Sequence, residues 1–173
     1  MASKTQLAFA RQVYAAAVEA KTEIDPAFVT AQAMLETGWG ARVIGKANLF
    51  GITKGSQWDG DIVMVKTHEY FKTPKQKFKE PDRIISVCKV AGKNLWYYTV
   101  MRAFKDFDSV GDCLKEHERL FQKPGYKDAW PCRKDPFKFA QKICDGVGCK
   151  YATDPTYLTT ITSIIKTIRR KCV

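Results

Sequence analysis

The hydrophobic pattern changes period twice along the chain, and this limits the folds open to it. From residue 4 to about 20, Leu7, Ala10, Tyr14, Ala17 and Val18 fall on one helical face. Asp25-Pro26 opens a second helix, the aspartate as cap and the proline in the first turn. Ala27 to Glu36 continue it, and Gly38 supplies the stop. A further helix starts at Asp108 or Ser109 and runs to about Gln122. The Asp-Pro opening recurs at Asp135-Pro136 and Asp154-Pro155. Between these helical ends, Ile62 to Val65, Ile84 to Val90 and Leu95 to Met101 are rich in β-branched and aromatic residues and predict strands. Ala91-Gly92-Lys93-Asn94 predicts the turn of a hairpin joining the last two. The basic stretch KTPKQKFKEP, residues 72–81, reads as a solvent-exposed loop. The expected fold class is α+β: a helical lobe built from both chain ends, with a small antiparallel β lobe inserted. A cleft between two such lobes suits a long polymer.

A chain of 173 residues with 45% hydrophobic content is enough for one domain, 1–173, with a sizeable core. No apolar run is long enough to span a bilayer, so no membrane insertion is expected. The opening MASKTQLAFARQVYAAAVEA is interrupted by Arg11 and reads as an amphipathic helix, not a secretory signal. Lys and Arg total 29 against 18 acids, a net +11 that draws a protein to polyanions such as nucleic acid, anionic lipid or cell wall. The basic residues are spread along the chain and show no nucleic-acid motif, so no nucleic-acid partner is expected. Cysteines stand at 88, 113, 132, 144, 149 and 172 without a C-x-x-C, and neither His68 nor His117 sits at ligand spacing. No metal and no cofactor are expected. Cys113 and Cys144 fall on apolar helix faces and read as core. Cys132, Cys149 and Cys172 are disulfide candidates for an oxidising space.

The stretch AQAMLETGWG, residues 31–40, carries the chemistry. Glu36 ends a helix, where the negative end of the dipole disfavours an ionised acid. Trp39 brings a large ring close in sequence, and desolvation against such a ring favours the protonated form as well. A carboxyl kept protonated near neutral pH can donate to a leaving oxygen, the general-acid step of glycoside cleavage.

LETGWG at 35–40, followed by NLFGI at 48–52, resembles the paired signature of the bacterial N-acetylglucosaminidases of glycoside hydrolase family 73. That group includes the flagellar rod-cap glucosaminidase, autolysins, some phage lysins and some secreted antibacterial effectors. THEYF, 67–71, resembles the family's strand carrying a second acid, here Glu69. YATDPTY, 151–157, resembles its C-terminal motif, whose leading tyrosine, here Tyr151, lines the substrate site. MRAFKDFDSVGDC, 101–113, is similar to the family's passage into the next helix. The matches run in order from about residue 5 to 168.

The resemblance implies a lysozyme-like fold and hydrolysis of the β-1,4 bond that follows N-acetylglucosamine in peptidoglycan. It maps Glu36 onto the catalytic acid, Glu69 onto the second carboxylate and Tyr151 onto the substrate-site tyrosine. Trp39 and Phe50 map onto aromatic positions near the substrate. Asn48 and Gly51 either shape the turn that brings Phe50 round or touch sugar directly. If Glu69 activates water from the far face, the reaction inverts and the carboxyls stand roughly 6.5–9.5 Å apart; otherwise the substrate's acetamido group assists. Asp59, Asp61 and Glu80 are rival second carboxylates. Between Glu69 and Arg102 the sequence departs from the family with a long basic stretch. Its lysines would grip anionic wall polymer or peptide stems, or face a protein partner. The expected partners are peptidoglycan glycan strands, met by a monomer made in the cytoplasm. It would act in the periplasm or cell wall after non-classical export or release. As an injected effector it would need a cognate immunity protein; as a phage lysin it would not. The alternatives are a muramidase or lytic transglycosylase cutting the other bond, and an inactive basic module binding wall or nucleic acid.

Overall fold

The computed structural model describes residues 2–145, 151 and 154–173. They form two compact units, one from the chain up to residue 50 and again from 107, the other from 51 to 106. Helices and sheet thus segregate as expected, with the sheet unit inserted in the helical one.

The helical unit contains α1 (Lys4–Glu19), α2 (Pro26–Thr37), α3 (Val110–Phe121), α4 (Pro136–Asp145) and α5 (Tyr157–Lys171). Ser3 opens α1 with a capping box: its hydroxyl accepts from the Gln6 amide, and the Gln6 side chain accepts from the Ser3 amide. Asp25 caps α2 by accepting from the Ala27 amide at 2.8 Å, with Pro26 at the first position. Asp135 accepts from the Phe137 and Lys138 amides, each at 3.1 Å, ahead of α4. Asp154 behaves differently. It accepts from both the Thr156 amide and hydroxyl, and α5 starts only at Tyr157.

α2 is the buried centre of this unit and packs against α1, α4 and α5. Every residue from Ala27 to Met34 is buried. Phe28 meets Phe139 edge-on at 4.8 Å and Phe121 at 6.2 Å, and Phe121 meets Phe139 at 5.2 Å. Such edge-to-face contacts add specificity to apolar burial. Ile161, Ile165 and Ile168 turn the apolar face of α5 into the same core.

The sheet unit contains β1 (Ile62–Phe71), β2 (Arg83–Lys89) and β3 (Trp96–Lys105), antiparallel in the order β1-β3-β2. The hairpin joining β2 to β3 forms where the turn chemistry places it: Gly92 takes a φ of 69°, and the Val90 amide donates to the Leu95 carbonyl at 2.9 Å. β1 runs six residues past Val65, because its partner β3 is long enough to pair with it from Lys105 back to Trp96. Alternation puts Glu69 and Phe71 on the same face as Tyr98 and Arg102.

Residues 72–81 are only partly the solvated loop their composition predicts. The Tyr98 hydroxyl donates to the Thr73 carbonyl at 2.9 Å and accepts from the Gln76 amide at 3.1 Å. Phe78 packs edge-on against Phe71 at 5.9 Å. The lysines stay exposed, but the segment is strapped down on the sheet face that carries Glu69.

The disulfide expectation is corrected for two residues. Cys132 and Cys172 are free thiols, as are exposed Cys88 and buried Cys113. They belong to separate elements, a short turn over Trp130–Cys132 and the residue that caps α5. Cys113 is fully buried as expected, Cys144 is half-buried, and Cys149 lies outside the described residues.

Candidate active site

Glu36 stands in the last turn of α2, before the left-handed Gly38 that ends the helix. Gly38, Trp39 and Gly40 take φ values of 59°, 61° and 88° in succession. A tryptophan in the left-handed region is strained and persists only when its surroundings over-determine it. Here the Trp39 amide donates to the Met34 carbonyl at 2.7 Å, and the Gly40 amide donates to the Thr37 hydroxyl at 2.8 Å. A Cβ at Gly40 would lie 2.7 Å from the ring of Phe9, so the reversal that follows Glu36 is tightly specified.

Glu36 is exposed to solvent, yet the protein around it partly desolvates the carboxyl and raises its pKa above 4.5. The opposing influence is a hydrogen bond with the side chain of Tyr151. Burial, and then the charge of Glu36, push the Tyr151 phenol upward, so it stays protonated and able to donate. The Tyr151 ring stacks on Phe121 at 5.5 Å, and its amide donates to the Ile143 carbonyl at 3.2 Å. Two predicted site residues, 115 positions apart by their numbers, are therefore brought close enough to shift each other's protonation.

Gln32, one turn before Glu36, belongs to the same cluster and was missed by sequence reasoning. It is fully buried and its Nε2 donates to the Tyr157 hydroxyl at 2.9 Å, beside Tyr151, while its Oε1 has no hydrogen-bond partner among the described residues. The available signal was a glutamine in a run of α2 that is otherwise nearly all apolar.

Trp39 lines a groove with Leu35 of α2 and Thr159, Thr160 and Ser163 of α5. Phe50 lies half-buried and flat on His117, with centroids 3.7 Å apart and planes at 14°. Asn48 is only 1% exposed. Its backbone pairs with Ile44 in both directions, and its side-chain oxygen accepts from the Phe50 amide at 3.4 Å. Of the two roles open to Asn48, the geometry describes support of the Phe50 turn.

Glu69 belongs to the sheet unit and is ion-paired with Arg102. The same guanidinium takes a second carboxylate, with its Nε 2.7 Å from Asp82. Asp82 also accepts from the Ala103 amide at 2.7 Å, tying the basic strap to β3. Of the rival acids, Glu80 lines the same cavity as Glu69. The carbonyl of Asp61 accepts from the Trp58 indole at 2.9 Å. No group of three or more His, Cys, Asp or Glu side chains that could hold a metal is found among the described residues.

A helical unit carrying an acid at a helix end, with a small antiparallel sheet inserted, defines the lysozyme-like glycoside hydrolase fold. The glycoside hydrolase domain of Salmonella typhimurium FlgJ superposes with a TM-score of 0.68 at 22% identity, covering 95% of this chain and 98% of that one. The sequence matches the glucosaminidase family, described as mannosyl-glycoprotein endo-beta-N-acetylglucosaminidase, over residues 12–170, and the chain belongs to that family of glycoside hydrolases. It is 30% identical over 141 residues to the peptidoglycan hydrolase FlgJ of Vibrio parahaemolyticus, covering 78% of this chain and 37% of the relative. It is also 30% identical over 143 residues to a probable N-acetylmuramidase of Lactococcus lactis subsp. cremoris, covering 81% of this chain and 28% of that protein. The chain thus spans about a third of the length of these relatives.

Proposed function

We propose that the protein is a peptidoglycan hydrolase that cleaves the β-1,4 bond following N-acetylglucosamine, with Glu36 as general acid. The observation that carries this reading is the Glu36 carboxyl itself, pushed toward its protonated form by burial and held by Tyr151. In the reaction Glu36 gives its proton to the glycosidic oxygen as the bond breaks. Tyr151 orients that carboxyl, and Gln32 orients Tyr151. Trp39 and Phe50 offer rings to the sugars. Glu69 is the second carboxylate, held in place by Arg102. Glu69→Gln losing as much activity as Glu36→Gln would mark Glu69 as the base that activates water; a smaller loss would mark assistance by the substrate's acetamido group. The proposed place of action is the cell wall or periplasm, reached by non-classical export or release, as an interbacterial effector or a phage lysin.

The resemblance to a probable N-acetylmuramidase supports a second reading, in which the same acid cuts the other glycosidic bond. One digest separates the two. Purified peptidoglycan is treated with the protein or with Glu36→Gln, reduced with borohydride, and its new ends read by mass spectrometry. Reduced N-acetylglucosamine ends are expected, with the variant slower by about 10²-fold or more, the usual contribution of a general acid. Reduced muramic ends would move the cut to the other bond. A variant as fast as the parent would remove Glu36 from the mechanism. Activity should also fall on the alkaline side as the Glu36 proton is lost, at a pH above that of an ordinary glutamate.

A further inference from the structure

The sheet unit encloses a cavity of about 720 Å³ that uses the strap as one wall. Phe71 and Phe78 give it an apolar part, while Lys54, Lys77, Lys79 and Glu80 bring charges to it. Glu69, Asp82 and Arg102 also line it, but they are committed to one another: a single guanidinium already carries two carboxylates. None of Lys54, Lys77, Lys79 and Glu80 has an ion-pair partner among the described residues. Three lysines and Glu80 therefore line the hollow without a close ion pair among the described residues.

Residues 51–106 hold eleven Lys and Arg against six Asp and Glu; residues 72–94 alone hold seven against two, and the rest of the unit balances at four of each. The excess of residues 72–94 lies on Lys72, Lys75, Arg83, Lys89 and Lys93, outside the cavity lining, whose own Lys54, Lys77, Lys79 and Arg102 exceed Glu69, Glu80 and Asp82 by one charge. This segment is also held in place, by Tyr98 through Thr73 and Gln76 and by Asp82 through Ala103, so ordering it on binding costs little.

We propose that this cavity binds a carboxylate-bearing peptide, the stem carried by peptidoglycan glycan, so that the protein reads the peptide as well as the sugar. Lysines are single mobile point charges and suit carboxylates set at different spacings along a short chain. Glu80 offers the complementary contact for a peptide amine and would repel a phosphate polymer. The two phenylalanines suit the aliphatic parts of the peptide. The proposal rests on the peptidoglycan reading for the identity of its ligand, but the binding does not require cleavage.

The test uses the full chain carrying Glu36→Gln and a synthetic probe, the tetrapeptide Ala-D-isoglutamate-Lys-D-Ala, titrated by calorimetry at low salt. The expected result is saturable binding that Lys77→Ala/Lys79→Ala weakens at least about fivefold. A control pair lying outside the cavity, Lys66→Ala/Lys89→Ala, removes the same charge and should change it less than about twofold. Blocking the peptide carboxylates as amides should abolish it. Absence of binding, equal binding of the amidated peptide, or equal losses from the two lysine pairs would each overturn the proposal. Equal affinity for a single-stranded oligonucleotide would overturn it too, as indiscriminate attraction to anions. Peptide binding by a protein that releases no fragments from peptidoglycan would leave the cavity assigned and remove the hydrolase reading. Fragments released without peptide binding would do the reverse.

Discussion

Helix α2 and strand β2 are opposite solutions to the same problem. α2 is buried from Ala27 to Met34, and of its buried polar groups the Gln32 Nε2 finds Tyr157 while the Thr30 hydroxyl and Gln32 Oε1 have no partner among the described residues. β2 is an edge strand in which only Val87 escapes full exposure, and Ile85 stands 53% exposed beside a register shift. A short, bulged, exposed edge with a charge at each end, here Arg83 and Lys89, is one way sheets avoid pairing with other chains. The helical unit therefore sets a carboxyl at the end of a buried helix, partly desolvated by its surroundings. The sheet unit spends few side chains on a core and presents many charges to solvent.

Core truncation should give the largest contrast between the two. Phe28→Ala should destabilise by about 3–5 kcal/mol in chemical denaturation, because it opens a cavity where three rings meet. Ile85→Ala should stay within about 0.5 kcal/mol of the parent; similar losses at both sites would break the comparison. Gly40→Ala comes next. Its φ of 88° and the 2.7 Å approach to Phe9 predict a loss of about 1–3 kcal/mol or more. Gly92→Ala shares the positive φ but meets open space, so it should lose less by the same denaturation measurement.

A third effect is acid sensitivity of the helical unit. His117 is 1% exposed, neither ring nitrogen has a hydrogen-bond partner among the described residues, and burial lowers its pKa to about 3. Unfolded, it would titrate near 6.5. Between these values the unfolded chain binds the extra proton, so stability is lost as pH falls from about 6.5 toward 3. The melting temperature should drop over this range, and His117→Phe should drop less steeply; parallel profiles would sink the assignment. The smallest effect is chemical. Cys88 is exposed and should react with a thiol reagent in the native protein. Cys113 is fully buried with its pKa pushed up to about 12, and should react only on unfolding.

Legibility followed the range of the interactions. The placement of Glu36 at a helix end could be read because cap, apolar run and glycine stop lie within a dozen residues. The hairpin turn at 91–94 was legible for the same reason. Composition alone stopped β1 at Val65; the family resemblance placed a strand at 67–71, and pairing with β3 joins the two into one strand. The strap at 72–81 has the composition of a free loop. It is anchored by Tyr98 and Asp82, whose partners cannot be chosen from spacing. Gln32 looked like one polar residue in a helix until Tyr151 and Tyr157 were brought to it.

The sequence by itself determined where α1 to α4 begin and where α1 to α3 end, to within a residue or so, that the sheet is antiparallel and inserted, and which carboxyl ends a helix before a glycine turn. These follow from caps, periods and turn residues, which act over a few positions of chain. Only the tertiary structure decided that Tyr151 holds Glu36, that Arg102 is shared by Glu69 and Asp82, and that His117 is sealed beneath Phe50. Each joins residues distant in sequence, and such contacts form only when burial of a common core brings their elements together.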